Sequence, residues 1–171
     1  SSIHLFDEVY AQIGDSQSIQ GELSKFSSEI TNLKEITINA TSNSLVIIDE
    51  PTSGTDPLEG GSLACAIVNY FIKRKIKVML SSHYLLLKEL ALRSDYITYA
   101  SVVFDSNTLL PTYHLNEGVI GESKGILTAK RYGLNEEIIT NASTIFNQLK
   151  PESELLMDKI RTKEEALKQK E

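Results

Sequence analysis

The chain has 171 residues, 41% hydrophobic and 23% charged, which are globular proportions. Its length suffices for one domain burying roughly 70% of its unfolded surface. A net charge of -6 argues against a stand-alone nucleic-acid binder, which carries a basic patch, but not against part of a larger DNA-binding protein.

Cys65 is the single cysteine, so no internal disulfide can form and a reducing compartment is expected. Set in an apolar helical stretch, it reads as a buried thiol rather than a nucleophile. No signal peptide is visible, and no apolar run nears the ~18 residues that span a bilayer. The expectation is a cytoplasmic protein with no membrane partner. The chain opens on Ser1-Ser2 without Met and enters a strand-like segment at Ile3, which predicts a fragment of a longer protein.

Ile3 to Ile13 reads as a strand running into a loop. Gly14-Asp15-Ser16 then supplies a turn and a helix N-cap. Ile19, Leu23, Phe26, Ile30 and Leu33 recur at the period of an amphipathic helix. Its other face carries Ser24, Ser27 and Ser28, although Ser is a mediocre helix former. For Ser27 and Ser28 the simplest reading is solvated small residues. Asn39 to Ser44 is a polar loop.

Leu45-Val-Ile-Ile is a short apolar run that predicts a strand buried on both faces, and it ends in Asp49-Glu50. Open α/β sheets place ligands at this edge. Two acids there repel one another and need a cation or a hydrogen-bonding partner. A helix follows from about Leu58 to Arg74, with Leu63, Ala64, Ile67, Tyr70 and Phe71 as its buried face. Gly60-Gly61 in its first turn costs about 1 kcal/mol each relative to Ala, so the pair predicts close approach of another chain, a ligand or a packed strand.

Ile76 to Leu80 is a second short strand, ending in Ser81-Ser82-His83 at the same rim. A lone His is usually structural, but one strand–helix–strand unit after the acids it suits a phosphate sensor. Tyr84 to Leu92 is an apolar helix. Asp95 to Phe104 and Leu110 to Leu115 form a hairpin turned at Ser106-Asn107. Tyr96, Tyr99 and Tyr113 read as sheet residues, not a base-stacking platform. Gly118 and Gly121 lie in a loop, and Ser123 caps a helix that stops at Gly133. Asn135 caps another, whose apolar stripe of Ile138, Ile139, Ala142, Ile145, Phe146 and Leu149 suits a core or a subunit interface. Pro151 marks a break, and residues 151–171 form a charged helical linker or tail.

The acids have a chemical use. In nucleotide hydrolysis a strand-end Asp positions Mg²⁺ and a neighbouring carboxylate polarises the attacking water. Asp49 and Glu50 match this Walker B arrangement. The plain alternative is a strand capped by acids before a turn. The Ser53-Gly54-Thr55-Asp56-Pro57 turn and His83 favour hydrolysis.

Walker B, then Ser53-Gly-Thr-Asp-Pro57, then Ser81-Ser-His-Tyr84 is the order of ABC-class ATPases. Ile13-Gly-Asp-Ser-Gln-Ser-Ile19 with Leu23-Ser-Lys-Phe-Ser27 resembles the signature helix of MutS-type proteins. Ala100-Ser-Val-Val-Phe-Asp105, Leu110-Pro-Thr-Tyr113, Gly118-Val-Ile-Gly-Glu-Ser123 and Tyr132-Gly-Leu-Asn-Glu-Glu-Ile-Ile139 resemble the segment after that family's histidine. The Gly-Asp-x-Gln-Ser-Ile and Gly-Thr-Asp-Pro forms resemble the MutS-two branch, whose members often carry a C-terminal Smr nuclease domain. The resemblance implies an α/β fold: a partial P-loop NTPase (ABC-ATPase-like) sheet with flanking helices and C-terminal helices. Residues 1–150 would be the C-terminal part of a MutS-type ATPase domain.

The resemblance also implies roles. Asp49 would hold Mg²⁺, Glu50 would activate water, and His83 would sense the γ-phosphate of ATP. Ser24 would reach the phosphate bound to a second copy of the domain, where a helix N-terminus favours an anion. Thr55 and Asp56 would form the D-loop that crosses the homodimer interface, and Gly54 beside them would join Ser24, Thr55 and Asp56 in binding the nucleotide. In the whole protein this cycle would control a clamp on double-stranded or branched DNA, opposing recombination, or on the ribosome.

Three departures stand out. No Gly-x-x-x-x-Gly-Lys-Ser/Thr phosphate loop occurs, so the chain alone is expected neither to bind ATP tightly nor to hydrolyse it. Lys25 stands where relatives usually have Thr. Pro51-Thr52-Ser53 looks more like a transporter's turn. The alternatives are therefore an ABC transporter ATPase subunit and a non-catalytic assembly module built on the helix at 135–149.

Overall fold

The computed structural model describes residues 5–13, 22–105, 108, 110–121 and 123–149. The expected turn and N-cap at Gly14–Ser16, the hairpin turn at Ser106-Asn107 and the tail at 151–171 lie outside the described residues. The chain divides into two units, Ser1–Ile97 and Thr98–Glu171.

The first unit is built on three parallel strands in the order β1 (Glu8–Gln12), β2 (Ser44–Asp49), β3 (Lys77–Ser81). Parallel neighbours need long crossovers, and α1 (Glu22–Asn39) and α2 (Pro57–Lys73) supply them, with α3 (Leu85–Arg93) following β3. The register places Tyr10, Val46 and Val78 side by side, then Gln12, Ile48 and Leu80. Onto this face Leu33 and Ile36 of α1 and Phe71 of α2 pack, forming one buried cluster with Val46, Ile48 and Ile76. The Tyr70 hydroxyl donates to the Thr37 carbonyl at 2.9 Å, which ties the ends of α1 and α2 together. On its far side α2 presents Ala64 and Val68 to Tyr84 and Leu87, a second cluster.

The sequence predicts a central strand buried on both faces, and the structure corrects this. Val46 and Ile48 are buried, whereas Leu45 and Ile47 are only partly covered and their face-mates Val9 and Met79 are 58% and 65% exposed. The reason is chirality. Two successive right-handed crossovers in one direction put both helices on the same face.

Other boundaries shift as well. Helix α1 continues to Asn39, so the loop before β2 is residues 40–43. Leu63 is exposed rather than buried, because the inward line of α2 runs through Gly60, Gly61, Ala64, Val68 and Phe71. The serine reading holds for Ser27 and Ser28, which are exposed.

The second unit pairs β4 (Ala100–Phe104) with β5 (Pro111–Glu117) as an antiparallel hairpin, irregular between Val102 and Phe104. Tyr113 lies in β5 with a positive φ of 62°, but Tyr96 and Tyr99 precede β4 and are not strand residues. Helix α4 (Gly125–Arg131) has Lys124 at its N-cap with no side-chain cap, so the expected Ser123 cap is corrected. Asn135 does cap α5 (Glu136–Leu149): its Oδ1 accepts from the Glu137 amide at 2.8 Å. Ile139 of the apolar stripe is buried, while Ile138 and Leu149 are exposed. Among the described residues no helix is long and apolar enough to cross a membrane.

Candidate functional site

Strands β2 and β3 end level, with Asp49 paired to Ser81. Residues just past two level ends lie at one edge of the sheet, and the acids and His83 share it. His83 Nδ1 lies 2.7 Å from Glu50 Oε2. An ionised carboxylate only accepts, so the contact is a hydrogen bond when Nδ1 carries the ring proton. His83 and Glu50 are both well exposed, with 70% and 40% of their side chains open to solvent.

Ser81 joins the two acids. Its hydroxyl donates to Asp49 Oδ1 and accepts from the Glu50 amide at 3.1 Å. The Ser81 carbonyl also accepts from that amide, at 3.3 Å. Asp49 and Ser81 thus present a carboxylate and a hydroxyl together at an exposed edge. That is the hard, all-oxygen donor set that Mg²⁺ takes when it keeps several waters and shares phosphate oxygens. Among the described residues no group of three or more His, Cys, Asp or Glu forms a closed cage, and such a cation needs none.

The backbone after the acids is strained. Glu50 and Thr52 have positive φ, 49° and 64°. For Thr, β-branched, that is a genuine outlier. Thr52 is fully buried; its hydroxyl donates to the Gly60 carbonyl at 2.8 Å and its carbonyl accepts from the Tyr84 hydroxyl at 2.8 Å. Its amide donates to the Glu29 carboxylate on α1. Tertiary contacts thus hold the transporter-like Pro51-Thr52-Ser53 turn.

Gly60 explains itself at the same place. A Cβ there would collide with the Tyr84 hydroxyl and lie 2.8 Å from the Thr52 carbonyl. The approach predicted from Gly60-Gly61 comes from the chain's own neighbouring segments, not from a ligand or another chain. Asp56 is the N-cap of α2, accepting from the Leu58 and Glu59 amides at 2.9 and 3.1 Å. Thr55 donates to Glu59 at 3.3 Å. Gly54 backs onto α1, where a Cβ would sit 3.0 Å from Phe26 Cβ. The structure thus brings Asp49, Glu50 and His83 together and places Gly54, Thr55 and Asp56 in the adjoining turn. Ser24 is on α1, but its side chain lies outside what the structure describes.

Comparison with known proteins places the chain in a family. The model of MutS domain V matches residues 1–150. The chain belongs to the MutS domain V family. Relatives place it in the MutS2 branch. It is 41% identical over 167 residues to an endonuclease MutS2 of Finegoldia magna, covering 98% of this chain and 21% of that protein. It is 41% identical to the endonuclease MutS2 of Fusobacterium nucleatum, covering 98% of this chain and 22% of that protein. The match to the endonuclease MutS2 of Lactococcus lactis is 42% over 163 residues, 95% of this chain and 21% of the relative. The chain spans about a fifth of the length of these relatives.

In this MutS domain V chain the sequence places Ser81 at the rim without a role of its own, names Tyr84 only within Ser81-Ser-His-Tyr84, and gives no signal for Glu29. Ser81 was legible in principle, because counting both strands back from their polar ends pairs it with Asp49. Glu29 and Tyr84 carry no such signal, since each bonds a backbone group of Thr52.

Proposed function

We propose that this chain is part of the ATP-hydrolysing domain of a MutS2-like protein. The observation that carries the reading is the Glu50–His83 contact of 2.7 Å on the edge that also bears Asp49. Asp49, with Ser81 beside it, would hold Mg²⁺. The cation, when bound, neutralises phosphate charge and orients the phosphates. The Glu50 carboxylate accepts the proton of the attacking water. His83 holds that carboxylate through Nδ1 and faces the γ-phosphate. Ser24, Gly54, Thr55 and Asp56 contribute to the nucleotide bound by a second copy of the domain. The packing of Gly54 on α1 supports this grouping, since α1 also carries Ser24.

In the whole protein nucleotide binding brings two copies together and hydrolysis releases them, controlling a grip on DNA; the name endonuclease carried by the relatives supports the nucleic-acid part of this reading. The test is Glu50→Gln in the full-length protein that contains this segment. Mg·ATP turnover is expected to fall by roughly 10²-fold or more, while ATP binding persists. Undiminished turnover would overturn the assignment.

A further inference from the structure

Strained backbone persists only where its surroundings over-determine it. The turn after Asp49 holds two non-glycine residues in the left-handed region, Glu50 and Thr52, on either side of Pro51. Thr52 is anchored by three separate helices. Its amide donates to Glu29 of α1, its hydroxyl to the carbonyl of Gly60 in α2, and its carbonyl accepts from Tyr84, the N-cap residue of α3. Tyr84 is buried and directly follows His83, with the two rings 5.0 Å apart. One buried residue thus fixes both partners of the surface pair. Its backbone sets the turn that aims Glu50, and its carbonyl holds the tyrosine next to His83.

We propose that Glu29 and Tyr84 are positioning residues for the Glu50–His83 pair, acting through the backbone of Thr52. Neither need touch a nucleotide. Glu29 ties α1 to the turn, so displacement of that helix is felt at the Glu50 carboxylate. Tyr84 ties the start of α3, and His83 with it, to the same turn. A misplacement of an ångström in a group that must orient water is enough to slow turnover severely. The inference rests on reading this edge as an ATP-hydrolysing site.

The test compares Glu29→Ala, Glu29→Gln and Tyr84→Phe in the full-length protein. It reads kcat and KM for Mg·ATP, and amide hydrogen exchange by mass spectrometry. Glu29→Ala and Tyr84→Phe are expected to lower kcat roughly tenfold to a hundredfold. KM should stay within about twofold, the pattern of a group acting in the chemical step rather than in binding. Exchange should rise in the peptide covering residues 50–54. Glu29→Gln keeps an acceptor for the Thr52 amide and should recover most of kcat.

Wild-type kcat in Glu29→Ala and Tyr84→Phe overturns the inference, as does unchanged exchange at 50–54. Exchange raised across residues 5–97 as a whole assigns the contacts to stability alone, and also overturns it. Glu29→Gln as impaired as Glu29→Ala does the same. A wild-type protein that turns over no ATP overturns the parent reading instead, and this one with it.

Discussion

His83 and Glu50 stand 33 residues apart in the chain, yet His83 Nδ1 lies 2.7 Å from the Glu50 carboxylate. Adjacent parallel strands ending level bring the residues just beyond them to one edge of the sheet. Because the His83 side chain is 70% exposed, its removal deprives the fold of little. His83→Ala should change unfolding free energy by no more than about 0.5 kcal/mol. In the full-length protein the same substitution should cut ATP turnover by roughly 10²-fold. Denaturant titration beside a turnover assay separates the two effects. A large stability loss with unchanged turnover contradicts the assigned role.

Ser81 should matter to both acids. Ser81→Ala removes the donor to Asp49 and one acceptor of the Glu50 amide, though the Ser81 carbonyl still accepts from that amide at 3.3 Å. The expected cost is about 1 kcal/mol of stability. The Mg²⁺ concentration for half-maximal turnover should rise, because Asp49 loses the contact that orients it. A magnesium titration reads this directly, and an unchanged midpoint counts against Ser81.

Gly60 and Gly61 should behave oppositely to a simple helix rule. In an exposed helix, Gly→Ala gains about 1 kcal/mol. At Gly60 the new methyl meets the Tyr84 hydroxyl and the Thr52 carbonyl, so Gly60→Ala should lose about 1–3 kcal/mol. At Gly61 the nearest atom is Leu86 Cδ1 at 3.2 Å, the end of a flexible side chain, and Gly61→Ala should be milder. Comparing the two denaturation midpoints checks the ordering.

Cys65 offers a pH test. Burial, followed by the charge of Glu89, pushes its thiol above the ordinary value of 9.0. The folded state therefore keeps its proton after the unfolded chain has lost it. That contribution to stability is fully present below the ordinary thiol value and is lost as pH rises through the folded one. The pH–rate profile of iodoacetamide labelling should have its midpoint above 9.0 in the folded chain and near the ordinary value in denaturant. Coincident midpoints would refute this.

The 171-residue chain carries no Gly-x-x-x-x-Gly-Lys-Ser/Thr loop. Purified alone, it should show no multiple-turnover ATP hydrolysis, because phosphate cradling by that loop is missing. Steady phosphate release by the isolated chain, abolished by Glu50→Gln, would contradict this expectation.

Much of the candidate site was legible because its signals are local. An apolar run of four residues ending in two acids defines a strand edge whatever surrounds it, and β2 does end at Asp49. The second polar strand end, at Ser81–His83, follows the same logic one helix later. The Asn135 cap needs only its own turn. Ser123 failed for the complementary reason: α4 starts at Gly125, and start residues without a side-chain cap leave no local mark.

The order of residues alone determined most of the strands, the helical periods and the placing of the two acids and His83 at one rim, because each depends on neighbours a few positions away. It could not decide which face of β2 is covered, since that follows from the handedness of two crossovers. Nor could it reveal that Glu29 and Tyr84 converge on Thr52. Those contacts join a buried backbone amide and carbonyl to side chains 23 and 32 residues away. Any side chain able to reach a backbone group could serve as such a partner, so only packing selects these two.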